Sequence, residues 1–303
     1  MTKCIAFFNF GNKCILELLV ATYTLRKHYT GKIVWMLDRN DDWNKQVAQQ
    51  VINLNIDIMW VNLNLIKRNA KSAVKPYLFN QLFATGYDSC IMCDGDLLFL
   101  KPIDELWKPL EENGILLTQF CNWKTNGPIM MGRLKQLEDV GIITNKEMFK
   151  QLTNGLPAIN IGVMGFTKKR LNAVKTWESA TEKLAGKHIA DEVAAHLLLT
   201  FDYTYIAPST FNASAKIGDL SHIEDNHIVH YHGSSQGGGE PDLRYENRRR
   251  SSRLWFAYLY DFYKSGLVPE ASMWEHYATG GVYEVLQSNP NLPYECSREF
   301  ILC

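Results

Sequence analysis

From residue 4 to residue 120 the chain switches repeatedly between short apolar runs and longer stretches with helical spacing. Residues 4–8, 32–37, 57–63, 89–92 and 115–120 read as buried strands. Helical stretches fall at 15–29, 75–85 and 103–112, the first carrying Leu18, Leu19, Thr22 and Leu25 on one face. Asp41 or Asp42 can open a further helix bearing Val47, Val51 and Ile52. Gly86 and Gly114 stand where the second and last of these helices should stop. Strand and helix in strict turn predict an α/β fold with a mostly parallel central sheet covered by helices on both faces. Sheets of that kind take ligands beyond the carboxyl ends of their strands.

The later chain is less regular. Residues 121–156 read as polar and irregular, with one or two short helices, and suit a lid or an insertion. Residues 158–166 are strand-like. Residues 171–184 form a helical pattern with Val174, Trp177 and Leu184 inward, and 190–199 are helical. Residues 227–232 read as a strand. A Gly/Ser-rich stretch at 234–240 is followed by five arginines, Arg244, Arg248, Arg249, Arg250 and Arg253. Next, Trp255, Tyr258, Leu259 and Phe262 share one helix face, which predicts packing on the main body. The expected division is residues 1–236 as the main domain and 237–303 as a basic, aromatic helical region suited to meeting an acceptor.

Lys+Arg and Asp+Glu balance at 32 each, so no overall field draws the chain to nucleic acid or membrane. The opening residues, MTKCIAFFNF, contain no long apolar stretch, and a chain without secretory signal or membrane span is expected. The seven cysteines lack framework spacing, and Cys90 and Cys93 lie inside an apolar strand as core thiols. A cytoplasmic setting follows as the expectation, in which the sequon Asn212-Ala213-Ser214 has no weight.

The strand at 89–92 runs directly into Asp94-Gly95-Asp96. On a strand, residues i and i+2 share a face, so both carboxylates should converge at the rim of the sheet. The glycine should let a phosphate or the backbone approach. Two like charges so placed call for a cation. Hard divalent ions take carboxylate oxygens and keep positions open for substrate phosphates. Such an ion can stabilise a departing diphosphate as a Lewis acid. The pair alone would equally suit a turn cap beside an exposed acid. The context is a second hydrophobic run, Leu97-Leu98-Phe99-Leu100, and then Pro102-Ile103-Asp104-Glu105-Leu106-Trp107.

This segment resembles glycosyltransferase family 8, which includes glycogenin and bacterial lipopolysaccharide sugar transferases. Further matches come in the family's order: Lys75 in Val74-Lys75-Pro76-Tyr77, then Asn160-Ile161-Gly162-Val163, Asp191-Glu192 and His230-Tyr231-His232-Gly233. The resemblance spans roughly residues 1 to 236 and implies a GT-A-type nucleotide-sugar-binding domain. It implies Mn²⁺ or Mg²⁺ held by Asp94, Asp96 and His230. It implies donor contacts at Asn9, Lys75, Gly162, Glu192, Gly233 and Gln236, with Asp191, Asn160 and Lys75 in catalytic roles. His232 shares a strand face with His230, and the spacing to glycine selects His230; His222 and His227 read as surface or loop residues. Asp191 also suits a helix N-cap, and Lys75 a solvated first-turn lysine.

Two departures stand out. Where the family places a diphosphate-binding lysine, this chain has Gln236 followed by Gly237, and an arginine of the later run is the chemical substitute. The stretch Phe7-Phe8-Asn9-Phe10-Gly11-Asn12 is only loosely like the family's nucleotide loop. The implied activity is metal-dependent, retaining transfer of sugar from a UDP-sugar to a hydroxyl acceptor, anionic or polysaccharide. Hydroxymethylated DNA bases are an alternative acceptor through the arginines. Outside the class stand a nucleotidyltransferase, whose early Gly-x-Gly-x-Arg-type loop this chain lacks, and an inactive sugar-binding protein.

Overall fold

A computed structural model of the chain describes residues 1–10, 15–42, 44, 45, 48, 54–63, 74–124, 128–153, 156–187, 189–215 and 222–231, with 254, 255, 258, 261, 262, 265 and 267. The strands and α-helices run β1 (Lys3–Asn9), α1 (Ile15–Arg26), β2 (Ile33–Asp38), β3 (Asp57–Val61), α2 (Val74–Ala84), β4 (Ser89–Cys93) and β5 (Leu97–Phe99). They continue α3 (Trp107–Asn113), β6 (Ile115–Lys124), α4 (Pro128–Asp139), α5 (Lys146–Thr153), β7 (Pro157–Thr167), α6 (Leu171–Lys183) and α7 (Ala190–Ala195). Last come β8 (Thr204–Ala207), β9 (Ala213–Ser214) and β10 (Ile228–His230).

Seven strands form one sheet in the order β3-β2-β1-β4-β7-β6-β8, and β5-β10-β9 form a small second sheet. The expected α/β fold with a mostly parallel sheet is present. Its reversed strand is β7, antiparallel to both β4 and β6, whereas β6 and β8 are parallel. Strict strand–helix alternation predicts no reversal. The two helices α4 and α5 return the chain so that β7 runs back alongside β6. The described part of the stretch 121–156 carries more regular structure than expected: β6 extends to Lys124, and α4 buries Met130, Leu134 and Leu137.

By compactness the chain divides into two units. The first comprises Met1–Ala6, Val61–Cys93 and Asp104–Asn212. Its central strand, β7, is buried from Ala158 to Thr167, which explains an apolar run without alternation. Phe79 of α2, Phe166 of β7 and Trp177 of α6 form an aromatic core, with Phe79 and Phe166 edge-on at 4.9 Å. Val174, Trp177 and Leu184 point inward as expected. Gly165 allows close packing, since a Cβ there would lie 2.9 Å from Leu110 and 3.2 Å from the Cys90 carbonyl. Cys4, Cys90 and Cys93 are buried thiols of this core, outside any disulfide. β8 lies where the sequence suggested no strand.

The second unit comprises Phe7–Trp60, Asp94–Ile103 and Ala213–Cys303. Here α1 is buried on all sides from Glu17 to Leu25, not on one face. Its threonines are accommodated by internal bonding: Thr22 Oγ1 donates to Leu18 O at 2.8 Å and accepts from Trp35 Nε1 at 2.9 Å. Thr24 Oγ1 accepts the Phe99 N–H at 3.2 Å, tying α1 to β5. Asp261 and Phe262 meet the same helix. Tyr23 packs on Phe262 with ring centroids 4.8 Å apart, and its hydroxyl donates to Asp261 at 2.9 Å. Trp255 and Phe262 are fully buried, so the aromatic face packs as expected; Leu259 lies outside the described residues. Burial of one such ring is worth about 1.5–3 kcal/mol. Among the described residues no helix is long and apolar enough to cross a membrane.

Candidate functional site

In the second unit, Asp94 and Asp96 do converge, but not by strand alternation. They lie in the turn that leaves β4 and enters β5. Register then adds the third group: β10 pairs antiparallel with β5, placing His230 opposite Leu97. The Tyr231 N–H donates to the Asp96 carbonyl at 2.9 Å and fixes the turn against β10. His230 Nε2 lies 3.2 Å from Asp96 Oδ1 and 3.7 Å from Asp94 Oδ2. One ligand atom from each of the three residues falls within 4.8 Å of the other two. The imidazole is 2% exposed, while the Asp94 side chain is 24% exposed, so the cluster is backed by protein and open on one side. Two carboxylates and an imidazole with an open side fit a hard or borderline divalent cation such as Mn²⁺ or Mg²⁺.

Gly95 is not demanded by space or backbone angle. A Cβ there would meet Leu18 of α1 at 3.5 Å, an ordinary contact, and its φ lies outside the left-handed region. The first turn of α1 therefore abuts the aspartate turn. That turn of α1 carries Glu17, 3% exposed, whose Oε1 has no hydrogen-bond partner among the described residues. Burial pushes its carboxyl up to about 8, its own backbone N–H opposes the shift, and the charge of Asp96 adds to it.

In the first unit a different polar array is assembled from four elements and the chain just after β8. Glu192 of α7 receives Arg133 of α4 on Oε1 at 2.5 Å and the Asn160 amide on Oε2 at 2.5 Å. Asn160 Oδ1 accepts the Gly162 N–H at 2.8 Å and the Asn212 amide at 2.9 Å. The Asn212 amide also reaches the Thr118 hydroxyl at 2.9 Å. All five side chains belong to buried residues. Lys75 of α2 is buried too, its ammonium donating to the Ile161 carbonyl at 2.8 Å, so it is no solvated surface lysine. Asn212 is fully enclosed, which closes its sequon to modification in the folded chain.

Asp191 is half-buried; its Oδ1 accepts the Glu192 N–H at 3.0 Å and its carbonyl accepts Trp177 Nε1 at 2.9 Å. The N-cap of α7 is Ile189, not Asp191. Ile189 has φ 51° and ψ 40°, a left-handed conformation that costs a β-branched residue roughly 1–2 kcal/mol. The strain sits at the entry to the turn bearing Asp191 and Glu192. His196, one turn later, is fully buried, with Nδ1 2.9 Å from the Glu192 carbonyl and Nε2 without a partner among the described residues. Burial first, then the charge of Arg133, holds its imidazole down to about 3.

Of the other expected residues, Asn9 in the second unit is buried and donates to Asn44 at 3.1 Å. His227 lies in a loop, 2.7 Å from the Pro102 carbonyl, and the His222 side chain is largely exposed. His232, Gly233, Gln236 and the five arginines lie outside the described residues. Sequence reasoning missed Arg133, Thr118 and Glu17. For Glu17 a signal existed: one acid inside an otherwise apolar helical run. Arg133 carried none, standing in a stretch rich in other charges.

No family model matches the chain, and no curated protein matches it. Solved structures do. The crystal structure of mouse xyloside xylosyltransferase 1 in its apo form superposes with a TM-score of 0.53 at 12% identity, covering 76% of this chain and 97% of that one. A glycosyltransferase involved in glycosylation of the major capsid of PBCV-1 gives 0.46 at 12% identity, covering 77% and 94%. The chain has the fold of GT-A-type glycosyltransferases.

Proposed function

We propose that this chain is a metal-dependent, retaining glycosyltransferase of the family 8 type, moving a sugar from a UDP-sugar to a hydroxyl acceptor. The observation that carries the reading is the gathering of Asp94, Asp96 and His230 on a glycosyltransferase fold. Asp94, Asp96 and His230 hold the cation. When bound, it supplies Lewis-acid stabilisation to a departing diphosphate. In the first unit, Asn160 and Asp191 position the sugar's hydroxyls, and Asp191 offsets the positive charge of an oxocarbenium-like transition state. Glu192 has both oxygens engaged by Arg133 and Asn160 and therefore braces Asn160 instead of attacking carbon. Lys75 brings positive charge to β7 next to Asn160 and Gly162, favouring the donor's anionic form. The acceptor's proton passes to the leaving diphosphate oxygen on the face from which it departs.

Incubation of the full chain with Mn²⁺ and a panel of nucleotide sugars tests the class. The mouse neighbour's name makes UDP-xylose the first donor to include. Release of UDP from one donor is expected. Pyrophosphate from a nucleoside triphosphate would instead reveal a nucleotidyltransferase, and donor binding without turnover a sugar-binding protein. The DNA-base acceptor rests on the arginines alone and is not carried forward.

A further inference from the structure

Asn160 is an amide whose direction the surrounding chemistry decides. A backbone N–H only donates, so the side-chain atom that takes the Gly162 N–H at 2.8 Å is the Asn160 oxygen. The Asn212 amide donates to that same oxygen at 2.9 Å. Nδ2 is therefore the end facing Glu192 Oε2 at 2.5 Å, and a carboxylate, which only accepts, demands the same direction. Glu192 is held in turn by Arg133 on its other oxygen, and Arg133 Nη1 reaches the Ile159 carbonyl at 3.4 Å. Asn212 is anchored by the Thr118 hydroxyl at 2.9 Å, and that hydroxyl donates to the Asn160 carbonyl at 3.0 Å. An exposed Asn can turn its amide over. Here a turn would set donor against donor at Gly162 and acceptor against acceptor at Glu192, both buried. Nδ2 carries two hydrogens. Glu192 takes one, and among the described residues none takes the other.

We propose that Asn160 meets its ligand as a hydrogen-bond donor only, and that Asn212, Glu192 and Arg133 are positioning residues that fix this polarity. The inference deepens, and rests on, the reading of Asn160 as a contact of the donor sugar. It adds the sign of that contact. The sugar must offer a lone pair at the position Asn160 meets, as a hydroxyl oxygen does. A ring carbon without oxygen offers none there, and an ammonium group sets donor against donor. Asn212 is fully enclosed, so it acts on a ligand only through Asn160.

The test is the double variant Asn160→Asp, Glu192→Gln. The new carboxylate at 160 still accepts from Gly162 and Asn212, and its second oxygen accepts from the new amide at 192. That amide's oxygen still accepts from Arg133. Charge is moved but not added, every bond of the array survives, and the spare hydrogen is replaced by a lone pair. The full-length chain in Mn²⁺ is titrated with UDP, UDP-xylose, UDP-glucose and UDP-galactose, and urea unfolding and turnover are recorded. Asn160→Asp alone should lower the urea midpoint, because two carboxylates then face each other, and the double variant should recover it. The double variant should keep UDP affinity within about threefold yet lose about 10- to 100-fold in affinity and kcat/KM for the sugar donor that wild type uses. Recovered stability with wild-type donor affinity and turnover overturns the proposal and leaves the glycosyltransferase reading standing. Loss of UDP affinity equal to that of the sugar donor also overturns it, since the array would then support the fold and not the sugar. A wild-type chain that binds and cleaves none of the UDP-sugars overturns the glycosyltransferase reading itself. Should the double variant fail to fold, wild type is titrated with deoxy and deoxyfluoro forms of its donor, because fluorine accepts but never donates. At one ring position the fluoro sugar should bind about three- to tenfold tighter than the deoxy sugar. Equal affinities at every position refute the proposal.

Discussion

Both units bury charge, in opposite ways. In the first, Arg133 and Glu192 neutralise each other, and the array from Asn160 to Thr118 closes its hydrogen bonds internally. In the second, Asp94, Asp96 and His230 gather with one ligand atom each within 4.8 Å of the others, and Glu17 is buried with Oε1 unbonded among the described residues. The first array is complete as it stands and sets geometry. The second brings two carboxylates and an imidazole together on a cluster open on one side, an arrangement suited to a divalent cation. The open cluster, not the closed array, is therefore the place where an ion can enter.

The sharpest way to break this contrast is Asp96→Asn. Losing a group that holds the cation should remove several kcal/mol of transition-state stabilisation, roughly a 10³-fold fall in kcat/KM with the active donor. In chelator the same variant should keep the wild-type fold, since Asn fills the place of Asp at the turn. Undiminished turnover, or a large fall in melting temperature, would break the contrast.

Arg133→Met should do the reverse. It leaves Glu192 buried without its cation and should lower stability by about 3–5 kcal/mol in urea unfolding. The double variant Arg133→Met, Glu192→Leu should recover much of that loss while failing to restore transfer, since Asn160 would lose its brace. Equal destabilisation by both would mean that packing, not charge pairing, governs the array.

The pH profile sharpens the contrast further. His196 is held neutral in the folded chain down to about 3, against 6.5 for a free imidazole. The unfolded chain therefore binds the extra proton first, and stability falls as pH drops from about 6.5 toward 3, by about 1.4 kcal/mol per unit. Glu17 slopes the other way: with its carboxyl raised to about 8 from 4.5, the folded chain keeps the proton longer, so its contribution weakens as pH rises through that window. Urea midpoints for His196→Leu and Glu17→Gln in chelator should change the pH slope in opposite senses. Matching changes would contradict the burial argument for one of them.

The smallest effect is expected at Gly95→Ala. With ordinary contact at Leu18 and no left-handed backbone, the change should leave Mn²⁺ affinity within about threefold and stability within about 1 kcal/mol. A collapse of binding would show that the glycine serves close approach after all.

Much of this site can be read from residues alone, though not always for the right reason. Asp94 and Asp96 meet because a turn and the β5–β10 register bring them to His230, not because a strand alternates. The α1 periodicity suggested one buried face because pattern reading cannot anticipate a helix that meets β5 and also Asp261 and Phe262. The reversal of β7 is equally hidden: its burial shows in the run of apolar residues, but its direction depends on how α4 and α5 return the chain. Arg133 is invisible because surface and buried arginines are the same letter. Only the fold tells which one meets Glu192.

The clasp of Tyr23 by Asp261 and Phe262 bears on how this chain can be shortened. Cutting it ahead of residue 254 would not merely detach an appendage. It would strip the cover from an oily helix that has almost no hydrophilic side of its own, and the trimmed material should clump more readily than the whole chain.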